Sequence, residues 1–100
     1  MATYEVELDQ KIKIDVKEPD RYKVIIYDDD TTPLDWVTTL LVKVFNYSQD
    51  DALELAFIVD MEGVGIVGVY TYEIAEQKTS EAIELSKTNG FQLELKVEKN

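Results

Sequence analysis

The chain is 100 residues long, the size of one domain with one core, and its hydrophobic fraction of 45% suits a globular fold. Its formal net charge of -11, with 10 basic residues against 21 acidic, argues against nucleic acid or an anionic membrane as a partner and favours a cationic or amine-bearing one. Cysteine and histidine are absent, which removes disulfides, thiolate zinc sites, thiol nucleophiles and the commonest general base.

Residues 1–20 read as an N-terminal extension, partly flexible, and residues 21–100 as the core domain. The extension is charged, is closed by Pro19, and carries only weak strand character where Lys11 to Lys17 alternates. The compact apolar run Tyr22 to Tyr27 reads as a buried strand, and Asp28-Asp29-Asp30 ends it. Thr32 is placed to cap a helix that opens with Pro33 and carries Asp35 in its first turn. Leu34, Val37, Leu41, Val44 and Phe45 then recur at helical spacing to about Asn46.

Ser48 begins a second helix with a near capping-box pattern. Its expected buried stripe is Ala52, Leu55, Ala56, Ile58 and Val59, and Gly63 is suited to end it in a left-handed conformation. Val64 to Tyr70 is β-branched around Gly65 and Gly68, the pattern of a strand packed closely under another element. Thr71 is expected to cap a third helix with Ala75, Ala82 and Leu85 on one side and Ile74 beside them, ending at Asn89-Gly90. Phe91, Leu93, Leu95 and Val97 alternate with polar residues as a strand with one dry face. The order β-α-α-β-α-β predicts an α+β, two-layer sandwich: a three-stranded antiparallel sheet with three helices on one face.

The residues favour a binding module over an enzyme. Ser48, Ser80 and Ser86 have no base to activate them, and Gly63, Gly65 and Gly68 do not match a phosphate-binding fingerprint. Three consecutive aspartates point in different directions on an extended chain, whereas calcium loops space their ligands at alternate positions, so neither metal nor cofactor is expected. The simplest account of Asp28 to Asp30 is an acidic turn before a helix, with Asp30 as its rim. By this reading alone the ligand has no name.

The stretch Tyr22-Lys23-Val24-Ile25-Ile26-Tyr27-Asp28-Asp29-Asp30-Thr31-Thr32-Pro33-Leu34-Asp35-Trp36-Val37 resembles the opening of the ClpS family, where an apolar strand precedes Asn-Asp-Asp-x-Thr-Pro-Met-x-Phe-Val. A second match runs from Gly68-Val69-Tyr70-Thr71 through Glu73-Ile74-Ala75-Glu76 to Lys78, and the resemblance extends over about residues 17 to 99. The family consists of bacterial adaptors that recognise N-terminal degradation signals and hand substrates to the ClpA unfoldase of the ClpAP protease. The resemblance implies that Asp28, Asp29 and Asp60 hold the substrate's free α-amino group. It also implies a pocket for a bulky apolar first side chain, lined by Thr32, Leu34, Val37, Val59 and Leu93, and an unfoldase-docking surface that includes Glu73 and Lys78. A monomer in the bacterial cytoplasm is expected.

Three positions depart from the family pattern. Asp28 replaces its Asn, Asp60 its His and Leu34 its Met. Met to Leu nearly conserves volume. The two acidic changes place up to three carboxylates around one ammonium group, which implies a more anionic amine site, stronger salt dependence and room for Lys or Arg as the first residue. The alternative is an interaction domain of the same fold with an altered or lost amine pocket.

Overall fold

A computed structural model describes residues 3–7, 13–17 and 19–100. Strands β1 (Thr3–Glu7) and β2 (Lys13–Lys17) pair antiparallel, Thr3 opposite Lys17 and Glu7 opposite Lys13, as a two-stranded sheet of their own. The strand character read at residues 11–17 is met at 13–17, and its partner lies within the extension. The flexibility expected at residues 1–2, 8–12 and 18 lies outside the described residues.

The core follows the expected order: β3 (Arg21–Tyr27), α1 (Leu34–Phe45), α2 (Gln49–Glu62), β4 (Val64–Thr71), α3 (Tyr72–Thr88) and β5 (Glu94–Lys99). The apolar run Val24-Ile25-Ile26 makes β3 the central strand, flanked antiparallel by β4 and β5. Side chains alternate across a strand. Val24 and Ile26 therefore face one way, together with Leu95 of β5, and join Leu40 and Leu41 of α1, Ala56 and Val59 of α2 and Ala82 of α3 in a single core. The α+β two-layer sandwich expected from the sequence is the observed fold.

Strand β4 carries an irregularity that sets what lies beneath α2. Val24 pairs with Gly68 and Ile25 with Ile66, so Val67 has no partner in the ladder and forms a bulge. Val67 is buried, and its carbonyl accepts a hydrogen bond from the Tyr47 hydroxyl. Gly65 lies directly under α2. A Cβ there would stand 2.8 Å from Val59 Cγ2, closer than real contacts come, and a tight 3.1 Å from Leu55 Cδ1. The close packing read from the glycines is met at Gly65, whereas the nearest group to Gly68 is the Tyr70 side chain two residues on.

Several local expectations are corrected. Pro33 occupies the N-cap position of α1 without a side-chain cap, because the Thr32 hydroxyl is bound to Asp29 instead. Thr71 is the N-cap residue of α3, yet its hydroxyl makes no capping bond. Ile58 and Ile74 are exposed rather than part of the inner stripes, while Thr79 and Ser86 are buried on α3. The last strand begins at Glu94, not Phe91. Phe91 belongs to the end of α3: with Gly90 at φ +82°, the Gly90 N–H reaches the Lys87 carbonyl (3.0 Å) and the Phe91 N–H the Ser86 carbonyl (2.8 Å). This paired closure is the Schellman arrangement. Ser48 caps α2 as expected, accepting from the Asp51 N–H, and Gly63 ends it at φ +86°.

Candidate functional site

The end of β3 is tied to the end of α2. The Asp28 N–H donates to the carbonyl of Gly63 (2.9 Å), and Gly63 in turn closes α2 by donating to the Val59 carbonyl (2.8 Å). Asp60 lies in that closing turn, three residues before Gly63. Asp28 and Asp60, remote in sequence, therefore stand on two segments joined by one hydrogen bond. The last turn of α2 contains no basic residue, so its acids face the negative end of the helix without compensation. Among the described residues the ion pairs are Lys23–Glu98, Lys96–Glu94 and Lys99–Asp20, and none involves Asp28, Asp29, Asp30 or Asp60. This corner therefore carries negative charge with no ion-pair partner among the described residues.

Asp29 is the most constrained acid of the corner. Its Oδ2 accepts from the hydroxyls of Thr32 (2.6 Å) and Thr31 (2.8 Å), and its carbonyl accepts from the Thr32 N–H (3.1 Å). The Thr32 hydroxyl, and after it the Thr31 hydroxyl, hold the Asp29 carboxyl below its ordinary value. The group stays ionised throughout the neutral range and loses its charge only as the pH falls through that lowered value. Both hydroxyls occupy the same oxygen, so Oδ1 is the one left to accept from a ligand. Asp30 is exposed on the turn, as its reading as a rim residue requires.

The mapped pocket residues arise from separate elements. Val37 of α1, Val59 of α2 and Leu93 before β5 are each 5% exposed or less and belong to the core cluster, and half-buried Leu34 packs against it. Thr32, like Leu34, is half-buried. Among the described residues no three acids converge closely enough to hold a metal ion.

The start of α1 is held by a contact that the sequence does not announce. Trp36 Nε1 donates to Ser86 Oγ (3.0 Å), Ser86 Oγ donates to the Ala82 carbonyl (2.8 Å), and the Trp36 ring lies 5.6 Å from that of Phe91. The turn of α1 that carries Leu34 is thereby clamped to the end of α3.

The two residues mapped to docking occupy different environments. Glu73 is exposed in the first turn of α3. Lys78 is half-buried: its Nζ donates to the Val44 carbonyl near the end of α1 (2.9 Å) and sits 5.9 Å from the Tyr70 ring. Lys78 thus supports the fold by closing an exposed helix end. Lys78→Met is expected to lower unfolding stability by about 1–2 kcal/mol in urea titrations, since a charged hydrogen bond is lost while the aliphatic stem is kept. A docking defect in that variant would therefore mix folding with recognition, which makes Glu73 the cleaner probe.

The family model described as ATP-dependent Clp protease adaptor protein ClpS matches residues 17–96. The chain is 44% identical over 82 residues to the ATP-dependent Clp protease adapter protein ClpS of Treponema denticola, covering 82% of this chain and 81% of that protein. It is 39% identical over 94 residues to the ClpS adapter of Clostridium acetobutylicum, covering 94% and 91% respectively. Among solved structures, that of Agrobacterium tumefaciens ClpS2 bound to L-phenylalaninamide superposes with a TM-score of 0.80 at 36% identity, covering 83% of this chain and all of that one.

Proposed function

This chain belongs to the ClpS family of Clp protease adaptors, and from that premise we propose that it binds the free α-amino group and bulky apolar first residue of N-degron substrates and delivers them to a ClpA-type unfoldase. One observation carries the reading: the Asp28–Gly63 hydrogen bond brings Asp28, and Asp29 beside it, to the closing turn of α2 that holds Asp60, with no basic side chain paired to any of them. The relative with L-phenylalaninamide bound shows that a fold of this kind accepts a free amine carrying an aromatic side chain. In this chain the ammonium group is neutralised by ionised Asp29 through Oδ1, with Asp28 and Asp60 supplying further negative potential. The first side chain enters between Leu34, Val37, Val59 and Leu93, with Thr32 at the edge.

Delivery places Glu73 against the unfoldase and assigns residues 1–20 to the extension that takes part in transfer, in the bacterial cytoplasm. The module itself carries out no bond-breaking step.

The test is fluorescence anisotropy with Leu-, Phe-, Tyr-, Trp- and Arg-initiated peptides and their N-acetylated forms. Free-amine peptides are expected to bind and acetylated ones to fail. Affinity is expected to fall about tenfold per pH unit above the free amine's pKa of about 8, because only the ammonium form is recognised while Asp29 stays ionised. Raising salt is expected to weaken binding, since the corner is exposed to solvent. Equal binding of acetylated peptides, or affinity that does not change between pH 7 and 10, would overturn the reading.

A further inference from the structure

Helix α2 has two apolar sides. Ala52, Ala56 and Val59 are buried in the core, whereas Leu53 is 39%, Phe57 49% and Met61 80% exposed. Residues four apart stand one above the other on a helix. Leu53, Phe57 and Met61 therefore form a continuous outward row. Ala56 and Asp60, also four apart, form the row beside it, reaching from the buried side of the helix to the amine corner. The exposed row thus begins where the amine site ends.

Its surroundings are charged with one sign. Asp50 and Glu54, four apart, border the row on its far side and Asp60 on its near side, and α2 contains no lysine or arginine. A partner lying on this row meets apolar contact flanked by negative potential. From Leu53 to Met61 the row is about 12 Å long at ~1.5 Å per residue, the reach of roughly three or four extended residues.

Resting on the amine-binding reading, we propose that the substrate segment following its first residue lies along Leu53, Phe57 and Met61. The segment that fits is apolar and basic, and acidic residues are rejected there by Asp50, Glu54 and Asp60. Two observations select this occupant: the row is continuous with the amine corner, and its charge complements a cationic chain. Recognition then extends beyond the first side chain, and an N-degron is graded by its next three or four residues.

The experiment uses three free-amine peptides that share a first Leu and differ only at positions two to five: Ser-Gly based, Val/Lys based and Asp/Glu based. Anisotropy against the full chain is expected to rank Val/Lys about tenfold above Ser-Gly and Asp/Glu weakest, with the spread shrinking as salt is raised. In Leu53→Ser/Phe57→Ser, with helix content checked by circular dichroism, the ratio of Val/Lys to Ser-Gly affinity is expected to fall within about twofold. Phe57→Leu should restore it, and Glu54→Lys should invert the preference between Lys- and Glu-bearing peptides. If all three peptides bind the unaltered chain alike in an amine-dependent way, or the ratio survives in the double variant, this inference fails while the amine reading stands. If acetylated and free peptides bind alike, both fall. A dimer in sedimentation that the double variant dissolves would give the row to a second copy and overturn the proposal.

Discussion

Asp29→Asn is expected to weaken binding of a Leu-initiated peptide by roughly thirty- to one-hundred-and-fifty-fold, the loss of one charge-assisted hydrogen bond of about 2–3 kcal/mol. The substitution keeps size and shape, and an amide oxygen still accepts from the Thr31 and Thr32 hydroxyls that now hold Oδ2. The turn should therefore survive, and urea unfolding should change far less than affinity. The same argument separates Asp29 from its neighbours. Asp30→Asn is expected to change affinity only a few-fold, and mainly at low salt, because an exposed rim charge acts through the field. Isothermal titration with one peptide across the two variants measures the difference directly, and equal losses in both would assign the amine to the general field rather than to Asp29.

Trp36→Ala is expected to cost about 3–4 kcal/mol of folding stability, a large share of what a domain of this size has. The indole is half-buried against the core, stacks near Phe91 and donates to Ser86. Trp36→Phe keeps the ring and loses the hydrogen bond, so roughly 1 kcal/mol should disappear. The readout that a purely structural role would leave unmoved is the choice among first residues. Because Trp36 clamps the turn that carries Leu34, Trp36→Phe should loosen discrimination between Leu- and Trp-initiated peptides even where the protein is fully folded. Trp36 is also the single tryptophan of the chain. Its emission therefore reports, without a label, whether the clamp against Ser86 and Phe91 shifts when a peptide binds.

The elements of the core could be read from the sequence because each carries a strong local pattern. Val24 to Ile26 reads as a buried strand, and Gly63 and Gly90 close helices with the positive φ that the pattern requires. The failures are of three physical kinds. The first is local competition. The Thr32 hydroxyl can cap a helix or satisfy Asp29, and the turn from Asp29 to Thr32 brings the carboxylate closer. The second is distance along the chain. Ser86 reads only as a serine with no base, because its partner Trp36 lies 50 residues away. Lys78 reads as a surface charge, because its acceptor at Val44 lies 34 residues away. Helix α2 misleads for a third reason: with apolar residues on two sides, spacing alone does not say that Ile58 faces water and Val59 the core.

Within the proposed site, the acidic corner was visible from the residues, but a place for Asp60 beside it was not. Nothing local distinguishes it from Asp50 or Glu62. Family resemblance singles it out, and the Asp28–Gly63 hydrogen bond supplies the physical link.

The bulge at Val67 also protects the chain from itself. Strand β4 is an outer strand of the core sheet, and its sequence Val64-Gly65-Ile66-Val67-Gly68-Val69-Tyr70-Thr71 contains no charge. A flat, apolar outer strand invites another molecule to extend the sheet. At the opposite margin, β5 repels such addition with Glu94, Lys96, Glu98 and Lys99. On β4 that duty falls to the bulge, which breaks the repeat of free donors and acceptors, with the Val67 carbonyl engaged by Tyr47. Solubility at high concentration is thus expected to fall in Tyr47→Phe, which frees the Val67 carbonyl.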